Sequence, residues 1–167
     1  YDLTSLMIGS EGTHVVITKI VFRLIPLPTK DITMLISFNS TEKACEAVSA
    51  VFRAGIIPSA LEFIERDAID WTLKYSDVQM QIHDNVQAHL LIEGDGDDME
   101  LLYKDCEKIS ELMEEFECGE ILLADSESQK EQLWKLRRSV GEAVKANSVY
   151  KEEDTVVPRA ELPKLLN

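Results

Sequence analysis

Histidine, aromatic rings and positive charge are scarce in this chain, and a long apolar run is missing. The three histidines, His14, His83 and His89, lie far apart and form neither H-x-H nor H-E-x-x-H, so spacing supports no metal site. The three cysteines, Cys45, Cys106 and Cys118, form no CxxC pair. A scattered, odd set suits free, partly buried thiols in a reducing compartment, and the expected location is the cytoplasm. Lys and Arg number 17 against 31 Asp and Glu, a formal charge of −14. Affinity for nucleic acid rests on cations neutralising phosphates, so a nucleic-acid partner is excluded, as is an anionic membrane surface. No run approaches the ~18 apolar residues of a transmembrane segment.

What is present reads as a globular domain. Hydrophobic residues make up 45% of the 167, enough for a sizeable core. The chain opens with YDLT and closes with AELPKLLN, which resembles an unfinished helix, so both ends are expected to be cuts in a longer protein. Val15 to Ile25 is β-branched and reads as a strand. The prolines of IPLPTK stop it and mark a boundary, giving an appendage over 1–28 and a main domain over 29–167. Beyond that boundary, strands are expected at Ile32–Phe38, Ala60–Glu65, Ala88–Glu93 and Glu120–Ala124. Helices are expected after each, with Ser40 as an N-cap and a stop at Gly55. Four strands are few for a doubly wound sheet. They suit an α+β, ferredoxin-like, four-stranded antiparallel sheet with helices on one face, preceded by the remnant strand.

Two constellations carry chemistry. The first is GSEGTHVVIT, Gly9 to Thr18. Its glycines permit close backbone approach, and its N–H groups and hydroxyls could cradle an anion. The G-K-[ST] ending of a P-loop is absent, and a strand follows where a dinucleotide fingerprint needs a helix. By itself the stretch reads first as a tight turn. The second is LWKLRRSVGEAV, which places Trp134, Arg137, Arg138 and Gly141 on one helix, with Arg137 and Gly141 sharing a face. Lys135 to Arg159 carries six basic residues and four acidic ones, a local reversal in an acidic chain. A solvated face with internal ion pairs is one reading; an anion site using the fork of an arginine is the other. Glu62 and Glu93, in strands, are formal acid–base candidates but read as edge or surface residues.

YDLTSLMIGSEGTHVVITKIVFRLIPLP closely resembles the end of the flavin domain in FAD-linked oxidases of the vanillyl-alcohol-oxidase type. Within that type it resembles the branch of glycolate oxidase, D-lactate dehydrogenase and D-2-hydroxyglutarate dehydrogenase. ALEFIERDAIDW, LLIEGDGDD, LWKLRRSVGEAV and KEEDTVVPRAELP resemble that branch's C-terminal substrate domain, in order. The resemblance implies FAD as cofactor of the longer protein, though not bound to this piece. It implies a small 2-hydroxy acid oxidised to the 2-oxo acid, with the electron acceptor left open. Ser10, Glu11, Gly12, Thr13, Val16 and Ile17 match the flavin-contacting loop and strand. Arg137 and Lys151 match residues holding the substrate carboxylate, and Gly141 stands where the hydroxyglutarate enzymes have a substrate-contacting threonine. The resemblance places the catalytic base and a possible divalent metal downstream, leaving no catalytic residue and no metal ligand in this chain. His14-Val15 stands where the family has Leu-Gly, adding a branched Cβ beside the cofactor path. An exposed remnant strand could also pair with a second copy. A non-catalytic ligand-binding or interaction module is the alternative from another class.

Overall fold

The computed structural model describes residues 1–153 and 155–165; Asp154 of the KEEDTVVP stretch and the last two residues of the sequence lie outside them. Helices are α1 (Leu3–Met7), α2 (Thr41–Arg53), α3 (Arg66–Tyr75), α4 (Met99–Glu114), α5 (Glu127–Asn147) and α6 (Leu162–Leu165). Strands are β1 (Lys30–Phe38), β2 (Ala60–Glu65), β3 (Ala88–Gly96) and β4 (Cys118–Leu123). Every ladder is antiparallel, in the order β2-β3-β1-β4. Two crossovers, β1-α2-β2 and β3-α4-β4, therefore interleave as the ferredoxin-like reading requires, with α3 inserted between β2 and β3.

Alternation along β1 explains how the layers form. Ile32, Met34, Ile36 and Phe38 point to one face and join Ala44, Ala47, Val48 and Val51 of α2 and Leu102, Cys106, Ile109 and Met113 of α4. Leu35 points the other way and packs with Leu91 of β3 and Leu133 of α5. Leu136 of α5 continues this second layer against Ile64 of β2 and Ile69 of α3. The α+β class and the four-stranded sheet are as expected, but the helices are not confined to one face. That detail is corrected because β1 and β3 are apolar on both faces, and a second apolar face needs cover.

The caps follow local chemistry. Ser40 accepts a hydrogen bond from the Lys43 backbone N–H at 3.3 Å, as its place before the helix predicts. Asp98 does the same for Glu100 at 2.9 Å at the start of α4. The chain's end returns to α2, where Ser49 Oγ donates to the Arg159 carbonyl at 2.7 Å and the Arg159 guanidinium lies 3.9 Å from the Phe52 ring centre.

The expected strand over Val15–Ile25 is a second correction: the segment belongs to no ladder. A strand exists only through its hydrogen-bonded neighbour, and β-branched composition cannot supply one. Val16, Val21, Leu24, Ile25 and Leu27 are each more than four-fifths exposed, so these apolar side chains join none of the buried clusters around the sheet.

One close approach in β4 can be tested directly. A Cβ added at Gly119 would sit 2.7 Å from Ser37 Oγ, which donates to the Glu120 carbonyl at 3.1 Å. Gly119→Ala is expected to lower stability by about 1–2 kcal/mol through overpacking and loss of that bond. Urea unfolding should show the loss, and Ser37→Ala in the same chain should recover part of it. An unchanged midpoint for Gly119→Ala would remove the argument.

Candidate functional site

Helix α5 presents two adjacent stripes. Leu133, Leu136 and Ala143 are buried and anchor it to the second layer. Beside them, Trp134, Arg137 and Gly141 run along the flank at spacings of three and four, where a helix keeps one face. Arg137 and Gly141 line one open groove of about 390 Å³ together with Glu62, Glu65, Tyr150 and Glu152. The shared face expected from the sequence is therefore realised. Arg138, one residue on, lines a different groove with Leu27, Pro28 and Lys130, as its rotation of about 100° around the helix requires.

The basic reversal is largely neutralised by ion pairs, two with distant acids and two with near neighbours. Arg137 Nη2 lies 3.1 Å from Glu62 Oε2 on β2. Lys135 reaches Asp77 at 2.5 Å, Lys145 reaches Glu142 at 3.2 Å, and Lys151 pairs with Glu153. Among the described residues of Lys135–Arg159, Arg138 is the cation left without an acidic or aromatic partner. Lys151 is strongly exposed, and the groove is lined by its neighbours Tyr150 and Glu152 instead. The structure thus brings Arg137 and Gly141 together and leaves Lys151 at the side.

Two residues read as surface carboxylates turn out to hold α5. Glu93 Oε2 accepts from Trp134 Nε1 at 2.6 Å and from Thr33 Oγ1 at 3.2 Å. Glu62 takes Arg137, one helical turn along from Trp134. Both carboxylates project from the sheet face that carries Leu91, because Glu62 is opposite Leu91 and Glu93 lies two residues further along β3. The signal available in the sequence was an acid placed on the core-facing phase of an apolar strand. Its partner could not be read there.

The loop Gly9–Thr13 stands apart. Gly9, Glu11 and Gly12 adopt φ of 77°, 48° and 75°, and a Cβ at either glycine would meet nothing within 4 Å. Thr13 closes the turn through its backbone N–H, 2.9 Å from the Ser10 carbonyl, and its hydroxyl, 2.6 Å from the same oxygen. Val16 and Ile17 follow, both exposed. The groove lined by Arg137 takes none of its walls from this loop, and among the described residues no group of three or more His, Cys, Asp or Glu could hold a metal.

Comparison with known families decides the lineage. The FAD linked oxidases, C-terminal domain, match residues 27–167. The chain belongs to this family. Curated relatives of the FAD-linked oxidases include a D-lactate dehydrogenase of Anaerostipes hadrus, 33% identical over 99% of this chain and 36% of its own length. The glycolate oxidase subunit GlcD of Bacillus subtilis is 31% identical over 99% of the chain and 35% of its own length. The GlcD of Escherichia coli K12 is 30% identical over 99% and 33%. The chain spans about a third of the length of these relatives. Among the described residues, no helix is long and apolar enough to cross a membrane.

Proposed function

We propose that this chain is the substrate-domain portion of an FAD-dependent oxidoreductase that oxidises a small 2-hydroxy acid, of the glycolate or D-lactate kind, to the 2-oxo acid. The observation that carries it is Arg137: a half-exposed guanidinium fixed on a rigid helix at the wall of an open groove, with unfilled space above Gly141 beside it. A guanidinium retains several N–H donors after one ion pair, and a carboxylate fits the remaining fork. Arg137 binds and orients the acid, Gly141 leaves room, and Lys151 adds a point charge from the groove's margin. Residues 1–28 belong to the flavin domain and 29–167 to the substrate domain. Ser10, Glu11, Gly12, Thr13, Val16 and Ile17 would hold part of the FAD, whose chemistry when bound is acceptance of the C2 hydride. The base that takes the hydroxyl proton, and any divalent metal assisting it, belong to residues outside this chain. Three free cysteines accord with a cytoplasmic setting.

The test is turnover by the intact protein. Glycolate or D-lactate should bleach its flavin absorbance anaerobically and yield glyoxylate or pyruvate, whereas an intact flavoprotein that neither acid reduces would remove the reading.

This chain alone is expected to bind no FAD. One exposed turn cannot offset the freedom lost by a large cofactor on binding. Its absorbance after purification should show no flavin band, and near-stoichiometric yellow protein would contradict the expectation. The apolar side chains of Val15–Leu27 would face the rest of the flavin domain in the intact protein. In the isolated chain the same segment would pair two copies, readable as a dimer in sedimentation.

A further inference from the structure

The groove that holds Arg137 is acidic for a place meant to take an anion. Its charged lining is Arg137 against Glu62, Glu65 and Glu152. The nearby lysines do not redress the balance, since Lys145 and Lys151 are engaged by Glu142 and Glu153. Glu62 is also the acid closest to the guanidinium, on a strand locked into the sheet by its ladder with β3.

Two consequences follow from that placement. A carboxylate on a strand facing a guanidinium on a helix fixes one edge of the guanidinium and leaves the others free for substrate. The helix itself cannot roll, because one turn earlier Trp134 is held by Glu93 at 2.6 Å. The same carboxylate also leaves no spare positive charge. A substrate with one carboxylate meets Arg137, whereas a second carboxylate in the groove faces Glu62, Glu65 and Glu152 with no unpaired cation to receive it.

Resting on the reading of this groove as the substrate site, we propose that Glu62 is a positioning and specificity residue: it orients Arg137 for a single carboxylate and its charge turns dicarboxylic 2-hydroxy acids away. Reach and charge are separable in this role. Glu62→Gln keeps the length and removes the charge; Glu62→Asp keeps the charge and withdraws it by one methylene.

The experiment measures kcat/KM of the intact enzyme for D-lactate and for 2-hydroxyglutarate. With Glu62→Gln, the ratio of dicarboxylate to monocarboxylate should rise about fivefold as one like charge is removed. With Glu62→Asp, both values should fall about tenfold as the guanidinium loses its hold, and the ratio should stay as in the wild type. A Glu62→Gln enzyme with an unchanged ratio overturns the specificity role. A Glu62→Asp enzyme with unchanged rates, or with only a lower melting temperature, overturns the positioning role. If the wild-type enzyme turns over neither acid, the functional reading falls, and nitrogen-15 relaxation at Arg137 Nε in this chain still decides on Glu62. A restricted Nε in the wild type that becomes mobile in Glu62→Asp supports positioning; equal mobility in both overturns it.

Discussion

Arg137→Ala in the intact enzyme is expected to lower kcat/KM for a 2-hydroxy acid about thirty- to a hundredfold. A charge-assisted contact from a guanidinium to a carboxylate is worth roughly 2–3 kcal/mol, and both KM and kcat should suffer because holding the carboxylate also aims the C2 hydrogen. The structure adds a second cost, since the substitution leaves Glu62 as an unopposed carboxylate where the substrate's own must bind. Lys151→Ala should cost less: its ammonium is largely exposed, already paired with Glu153, and beside rather than in the groove. Arg138→Ala is the control, because it faces another groove. Steady-state kinetics of the three variants decide the matter. A dispensable Arg137 beside an essential Arg138 would put the substrate on the other flank of α5.

Acidification is expected to weaken the fold through His89, by about 3 kcal/mol between pH 6.5 and 4. The ring is 4% exposed, lies across the sheet from Ser37 and Ile64, and has an Nδ1 with no hydrogen-bond partner. Burial, and then the Arg66 guanidinium near it, push the imidazole down from 6.5 to about 4. Arg66 is itself held by Asp70 with both oxygens at 2.9 Å, so the cation stays in place. Between these values the unfolded chain binds a proton that the folded chain refuses. Stability from this group is therefore complete above about pH 6.5 and drains as the pH falls towards 4, at about 1.4 kcal/mol per pH unit. Urea unfolding at pH 7 and pH 4.5 checks it against His89→Gln, which cannot take the proton and should lose markedly less on acidification. Equal losses in the two proteins would assign the acid limb to other groups.

The sequence by itself determined the element order and most of the boundaries. β2 spans Ala60–Glu65 and α4 starts at Met99 where the apolar periodicity and turn residues put them, because those signals act over a few residues of chain. Four strands in that order also determined the ferredoxin-like sheet, since short connections leave few ways to interleave them. The common face of Arg137 and Gly141 was legible for the same reason: helical spacing is local geometry.

Only the tertiary structure decided what those side chains meet. Val15–Ile25 carries strand composition yet has no ladder, because pairing is a property of two segments. Helices cover both sheet faces because α3 and α5 find each other across about sixty residues of chain. The basic stretch from Lys135 to Arg159 is a set of ion pairs with Asp77, Glu62 and nearer acids rather than a bare anion site. Glu62 and Glu93 passed for surface carboxylates for the same reason. Strand register and helix docking select a charge's partner, and neither is written in the residues adjoining it.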